Sequence, residues 1–283
     1  MSRAIKKRLF IVGCSRSGTT VLQSAFARHP EIYTFPETRL LLKALGKRAW
    51  SKPLSWLGLS LGKEWAALRA SLEKDGQNLA SVPAIQSIRL SLTGISRALD
   101  EITLEQNKFI WLEKTPKHYY RAACIPKYFP NSHVIHIVRE GTSVVASLID
   151  RAKTYSGSFK RQTKPAYAIS QWNLAVARHT SLLGMPNHSF LLFEDFVASP
   201  QAQLTRLCNE AGIEFNSQMI ETGVAASRHI KNQEPWKEKS AKAITPPKDK
   251  FNTMFDKETR KKISGQLDHK RYSEIRAHIR ATR

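Results

Sequence analysis

Residues 13–20 read GCSRSGTT, and their types and spacing suit an oxyanion. Gly13 and Gly18 stand five apart ahead of two hydroxyl residues, the skeleton of the phosphate loop G-x-x-x-x-G-K-[ST], but Thr19 occupies the lysine position. A strand, a glycine turn and a helix start bring unpaired backbone N–H groups and the positive end of a helix dipole to one point. Gly18 permits close backbone approach, Ser17, Thr19 and Thr20 add hydroxyl donors, and Arg16 places a planar, permanent cation inside the turn. A plain strand-to-helix turn would need only one capping hydroxyl. A second group follows the apolar run HVIHIV: Arg139 at its end, then Ser147 and Arg151 one helical turn apart on a single face. Two such centres predict a ligand carrying phosphate at two places.

A nucleotide kinase or NTPase would use the missing lysine on its β- and γ-phosphates. FLLFED (Phe190 to Asp195) could pass for the magnesium-binding strand of such enzymes, although acids at strand ends are common. His133 and His136 lie three apart on a predicted strand and so face opposite ways, which excludes a metal pair built from those two. No metal site is expected.

The elements that must position these groups alternate between β-rich runs and longer helical ones, predicting an α/β domain with a mainly parallel sheet. Strands are expected at RLFIVG (Arg8 to Gly13), FIWLEK (Phe109 to Lys114), HVIHIV (His133 to Val138) and SFLLF (Ser189 to Phe193), with IYTF a brief extended segment. Thr19 to Arg28 reads as a helix whose apolar face is Val21, Leu22, Ala25 and Phe26. Leu40 to about Asp100 reads as a helical insertion containing Trp50, Trp56 and Trp65. Pro246-Pro247 precedes a basic C-terminal segment read as a solvated tail or one or two helices.

The 283 residues include three widely spaced cysteines, Cys14, Cys124 and Cys208, so neither a disulfide framework nor a zinc site is suggested. The N-terminal apolar run is too short for a secretory signal, and no stretch is long enough to span a bilayer; a cytoplasmic protein is expected. A net charge of +22 attracts anions of every kind, including nucleotides, acidic glycans, anionic lipid surfaces and nucleic acid, and does not choose among them. Basic residues with interleaved aromatic platforms, the mark of nucleic-acid binding, are not evident.

SRSGTTVLQSAFARHPEIYTFPETR resembles the 5′-phosphosulfate loop and following helix of sulfotransferases that use 3′-phosphoadenosine 5′-phosphosulfate (PAPS), and IVREGTSVVASLIDR resembles their 3′-phosphate element. The similarity is nearest to tyrosylprotein sulfotransferases and related bacterial enzymes and runs, with gaps, from about Phe10 to Asp195. It implies a P-loop-like three-layer α/β fold with a mainly parallel central sheet, residues 1–245 forming the domain, about 40–105 a helical cap on the acceptor side, and 246–283 a basic extension. It implies that Arg16, Ser17, Gly18, Thr19 and Thr20 bind the 5′-phosphosulfate, and that Arg139 and Ser147, with Arg151, hold the 3′-phosphate. Glu37 in PET falls at the family's carboxylate base, and Lys114 in EKTP at its transfer-stabilising lysine. Phe193 stands where the family often has tyrosine; Ser227 is a weak match to the family's late serine.

The resemblance implies transfer of a sulfuryl group to an acceptor hydroxyl of a glycan, peptide tyrosine or small molecule. Positioning and charge stabilisation dominate such a reaction, by analogy with phosphoryl transfer. A base taking the acceptor proton contributes roughly 10²–10⁴-fold. Lys114 and Arg16 would offset charge growing on the leaving nucleotide, without a metal. KTPKH is similar to the lysine-threonine-histidine region of cytosolic sulfotransferases, which makes His118 the rival base at a spacing about two residues off. Lys160, Arg161 and Lys164 would suit an acidic acceptor.

Overall fold

The computed structural model describes residues 4–45, 88–155, 163–221, 244 and 249–282. Five strands form one sheet: β1 (Lys7–Gly13), β2 (Ile32–Phe35), β3 (Ile110–Lys114), β4 (Ser132–Val138) and β5 (His188–Leu192). Their order across the sheet is β2-β3-β1-β4-β5, and every neighbouring pair is parallel. The chain leaves β1 toward one edge and returns to its other side with β4. Open α/β sheets bind ligands at such a reversal, beyond the carboxyl ends of the strands.

Alternation within β1 explains why it holds the centre. Leu9 and Ile11 face one layer with Ile32, Leu112, Ile135 and Ile137, while Phe10 and Val12 face the other with Phe35, Trp111, Val134 and Val138. Both faces are covered, so the strands read as continuous apolar runs. On the first face lie α1 (Thr19–Phe26), α7 (Phe193–Ala198) and α8 (Pro200–Ala211), through Leu22, Phe26, Phe196, Leu204 and Leu207. On the second lie α3 (Ile88–Glu105), α5 (Gly141–Thr154) and α6 (Pro165–Thr180). Between α1 and α3 comes the short α2 (Leu40–Leu45), and α4 (Ile125–Tyr128) precedes β4. Asp100 of α3 pins the sheet by accepting both Arg8 Nε (3.1 Å) and Arg8 Nη2 (2.6 Å), and also Trp111 Nε1 at 2.7 Å. A two-pronged, half-buried guanidinium–carboxylate pair holds geometry better than a single surface contact.

Three expectations change in detail. The first helix stops at Phe26 instead of Arg28, because the amides of Arg28 and His29 turn back to Ala25 and Phe26 in tighter three-residue loops (3.2 and 3.1 Å). Strand β5 stops at Leu192, and Phe193 opens a helix. The basic C-terminal segment is no solvated tail over residues 249–282: it forms α9 (Lys250–Met254), α10 (Lys257–Ser264) and α11 (His269–Ala281), and buries Ile263, Leu267, Tyr272, Ile275 and Ile279 in the second layer. Asn173 clasps it, donating to the Gln266 carbonyl at 2.9 Å and accepting the Asp268 amide at 3.0 Å. Trp50, Trp56, Trp65 and Pro246-Pro247 lie outside the described residues.

Candidate active site

Arg16 to Thr20, Glu37, Lys114 and Arg139 follow or close the carboxyl ends of β1, β2, β3 and β4, and Ser147 and Arg151 lie on α5, the helix after β4. The loop after β1 leads into α1 through Gly18, whose φ of 92° is left-handed, and no side chain caps that helix. The hydroxyl cluster therefore does not serve as a helix cap. Gly18 is also required sterically: a Cβ there would lie 2.2 Å from Cδ2 of Phe193, whose ring rests on the loop. Ser17 is buried, and its Oγ meets no partner among the described residues. Thr19 is buried and Thr20 half-buried in the first turn of α1.

Arg16 joins this loop to the second centre. Its Nε donates to Ser147 Oγ at 3.0 Å, and its carbonyl accepts from Arg139 Nη1 at 3.2 Å. Burial, then the nearby charges of Arg151 and Arg139, push the Arg16 guanidinium down to about 10, which leaves it protonated at neutral pH. Burial also lowers Arg139, with Glu194 and Glu140 working the other way. The Arg139 guanidinium lies 4.7 Å over the Phe193 ring, and its Nε has no partner among the described residues. Ser147 and Arg151 share one face of α5, as their spacing predicts. Arg151 and Arg139 both bear on the Arg16 guanidinium, and the buried Ser17 Oγ and Arg139 Nε are hydrogen-bond donors of the kind an oxyanion takes.

The other end of the site is built by β2 and β3. Phe35 pairs with Glu113, so the chain beyond β2 emerges beside Lys114. Lys114 Nζ and Glu37 Oε2 are 3.7 Å apart; Lys114 is 3% exposed and Glu37 16%. Arg39, 65% exposed, donates from Nε to Glu37 Oε1 at 3.3 Å. Beneath this pair lies a group that the sequence reading missed. Glu113 is fully buried, and its Oε1 accepts from the Thr38 amide (3.2 Å), Thr38 Oγ1 (2.8 Å) and Thr115 Oγ1 (2.5 Å). Thr115 Oγ1 in turn accepts the Arg39 amide at 3.0 Å. His118 Nδ1 stands 3.0 Å from Glu113 Oε2, off the line of an aligned hydrogen bond. Burial drives the Glu113 carboxyl upward, but the His118 ring and the Thr115 and Thr38 hydroxyls outweigh it and hold it below the usual carboxylate range. The only signal in the sequence was an acid inside an apolar strand two residues before Thr115; the approach of Thr38 no local pattern reveals.

His118 is itself fully buried, and its Nε2 accepts the Leu41 amide at 3.3 Å. Glu194, in the run first compared with a magnesium strand, accepts the Glu140 amide at 3.1 Å and so supports the turn after β4. His133 and His136 do face opposite ways: His133 meets Ser189 Oγ at 2.6 Å, while His136 lies between His179 and His188, each 2.8 Å away. Among the described residues no group of three or more His, Cys, Asp or Glu could hold a metal ion. No described helix is long and apolar enough to cross a membrane. Lys164 is exposed at the start of α6; Lys160, Arg161 and Ser227 lie outside the described residues.

Known proteins resemble this chain in sequence and in fold. The chain is 25% identical over 217 residues to protein-tyrosine sulfotransferase A of Caenorhabditis elegans, an alignment covering 75% of this chain and 51% of that protein. The chain thus spans about half the length of the curated relatives it matches. Its fold matches the sulfotransferase domain of the Synechococcus PCC 7002 olefin synthase, with a TM-score of 0.60 and 22% identity over 93% of this chain and 95% of that one. A mouse sulfotransferase solved in complex with PAP matches with a TM-score of 0.51 and 11% identity, over 93% and 84% of the two chains. Residues 8–217 match the model of the sulfotransferase family, and with the loop, the second anion centre and the Glu37–Lys114 pair all inside that span, the chain belongs to this family.

Proposed function

We propose that the protein transfers a sulfuryl group from PAPS to an acceptor hydroxyl, with Glu37 as general base. The observation that carries this reading is that the Glu37–Lys114 pair, 3.7 Å apart, opens at the carboxyl edge of the sheet that also carries the linked Arg16–Ser147–Arg139 group. Bound PAPS supplies the activated sulfuryl group. Ser17, Gly18, Thr19 and Thr20 suit its 5′-phosphosulfate, and Ser147, Arg139 and Arg151 suit its 3′-phosphate; the donors left open at Ser17 Oγ and Arg139 Nε fit that group.

Glu37 takes the proton of the acceptor oxygen as that oxygen bonds to sulfur, an assistance worth roughly 10²–10⁴-fold. Lys114, nearly excluded from water, offsets the negative charge left on the nucleotide side, where low dielectric strengthens its effect. Adenosine 3′,5′-bisphosphate (PAP) is the product. Glu37 is favoured over His118 because a partly exposed carboxylate can reach an acceptor, whereas His118 is enclosed by Leu41 and Glu113. Residues 40–105 are read as the acceptor-side cap, and the acceptor as a glycan, a peptide tyrosine or a small molecule.

A thermal-shift comparison of ATP, PAP and PAPS, followed by a transfer assay with labelled PAPS, tests the reading. Stabilisation by the two 3′-phosphorylated nucleotides above ATP is expected. Equal stabilisation by ATP, together with magnesium-dependent phosphate release, would overturn it in favour of a nucleotide kinase or NTPase.

A further inference from the structure

Behind the site, the turn that follows β4 is gripped from three distant parts of the chain, one residue after another. The Arg139 carbonyl accepts Trp172 Nε1 of α6 at 2.9 Å. The Glu140 amide donates to Glu194 Oε1 of α7 at 3.1 Å. Gly141 lies against both Trp172 and Leu267: a Cβ there would stand 3.0 Å from the indole ring and 2.9 Å from Leu267 Cδ1.

Leu267 belongs to the C-terminal segment, which follows the family-matched span of residues 8–217. That segment also reaches the turn through Trp172. Tyr272 of α11 packs on the Trp172 ring with centroids 5.6 Å apart, and Asn173, the next residue, carries the two hydrogen bonds that clasp Gln266 and Asp268. Lys250 of α9 pairs with Asp150 of α5, the helix that the turn opens. Trp172 is fully buried, and its indole N–H can only donate, so the ring keeps the orientation in which the Arg139 carbonyl meets that donor. An arginine head is placed only as well as its backbone is held, and here the backbone is held by a wedge backed by the C-terminal segment.

We propose that Trp172 is a positioning residue, and that through it the C-terminal helices set the backbone from which Arg139 reaches the nucleotide. This rests on the sulfotransferase reading of the site. Nucleotide affinity is then governed from behind the site, by residues that need not meet the ligand.

The test is calorimetry with PAP and adenosine 5′-monophosphate, which differ only in the 3′-phosphate, on the unaltered chain and on variants that circular dichroism shows to be folded. Trp172→Phe keeps an aromatic wedge and removes the N–H; PAP is expected to weaken about 10-fold and the monophosphate by less than about 3-fold. Leu267→Ala keeps Trp172 but removes its backing, and should weaken PAP about 3- to 10-fold. Because both act through one contact, the double variant should lose less than the product of the two. Ile279→Ala empties a similar volume from the same core two helical turns beyond Tyr272; it should lower stability as Leu267→Ala does while PAP affinity stays within about 2-fold. Equal weakening of PAP by Leu267→Ala and Ile279→Ala would reduce the effect to general loosening and overturn the proposal. Equal weakening of both nucleotides by Trp172→Phe, unchanged PAP affinity in that variant, or a fully multiplicative loss in the double variant would overturn it too. An unaltered chain that binds the two nucleotides equally overturns the sulfotransferase reading itself, and the proposal with it.

Discussion

The two ends of the site solve opposite electrostatic problems. At the β2–β3 end the charges are met at close range within the protein: Lys114 and Arg39 both face Glu37, and Glu113 accepts from Thr38 and Thr115 beside the His118 ring. At the β1–β4 end cations gather: burial lowers both Arg16 and Arg139, Arg151 and Arg139 lower Arg16 further, and Asp150 on one side and Glu194 with Glu140 on the other work against the shift at longer range. The first end is complete in itself and can hold a base and a cation in register before anything binds. On the proposed reading the second is completed by its ligand, which meets the donors at Ser17 Oγ and Arg139 Nε. On the same reading catalysis and nucleotide affinity belong to separate parts of the sheet edge, and variants should divide accordingly.

The sharpest test is Glu37→Gln. It should lower kcat roughly 10²–10⁴-fold while PAP affinity stays within about 3-fold, as measured by turnover and calorimetry on the same preparation. A parallel fall in PAP affinity would break the division. Glu113→Ala removes the carboxylate under the base loop and leaves the Thr38 and Thr115 hydroxyls and the Thr38 amide without their acceptor; we expect a loss of about 3 kcal/mol in urea unfolding, with kcat reduced more than PAP binding.

Acid should act on the other half of the sheet. Burial pushes His133 and His188 down to about 4 and His179 to about 3, and with the neighbouring histidines holds His136 well below the usual range, so the unfolded chain, with ordinary histidines, takes up protons first. The stability that comes from keeping them neutral is whole above about pH 6.5 and is lost as pH falls toward 4. Between pH 6.5 and 5 the loss should be about 1–2 kcal/mol for each histidine that stays neutral, seen as a falling denaturant midpoint. The smallest effect is expected from Gly18→Ala, which sets a methyl against Phe193 in a left-handed position: about 1–2 kcal/mol of stability and roughly 10-fold in PAP affinity, with kcat at saturation little changed.

Much of this was legible in the chain. The strands declared themselves as apolar runs, the loop by its glycines and hydroxyls, and the Ser147–Arg151 face by helical spacing. What local pattern could not supply was contact between distant segments. Glu113 looks like any strand-end acid until residue 38 arrives from the segment beyond β2, and nothing near Arg16 in the chain announces its contact with Ser147. Strand order was equally hidden, since β1 pairs with the third and fourth strands rather than the second. In the C-terminal helices, Tyr272, Ile275 and Ile279 do repeat at helical spacing, but dense surrounding charge disguised a face that the second layer buries.

The Arg16–Ser147 contact spans 131 residues, and this separation governs when the protein can acquire its ligand site. Pairings so far apart in the chain are paid for late in folding, after the loop between them has been closed. On the proposed reading the β1 loop cannot be a complete nucleotide site until β4, more than 110 residues further along, has docked beside it and α5 has formed. Nucleotide binding would then report that the centre of the sheet has assembled, and a chain ending before Gly141 should show none of it.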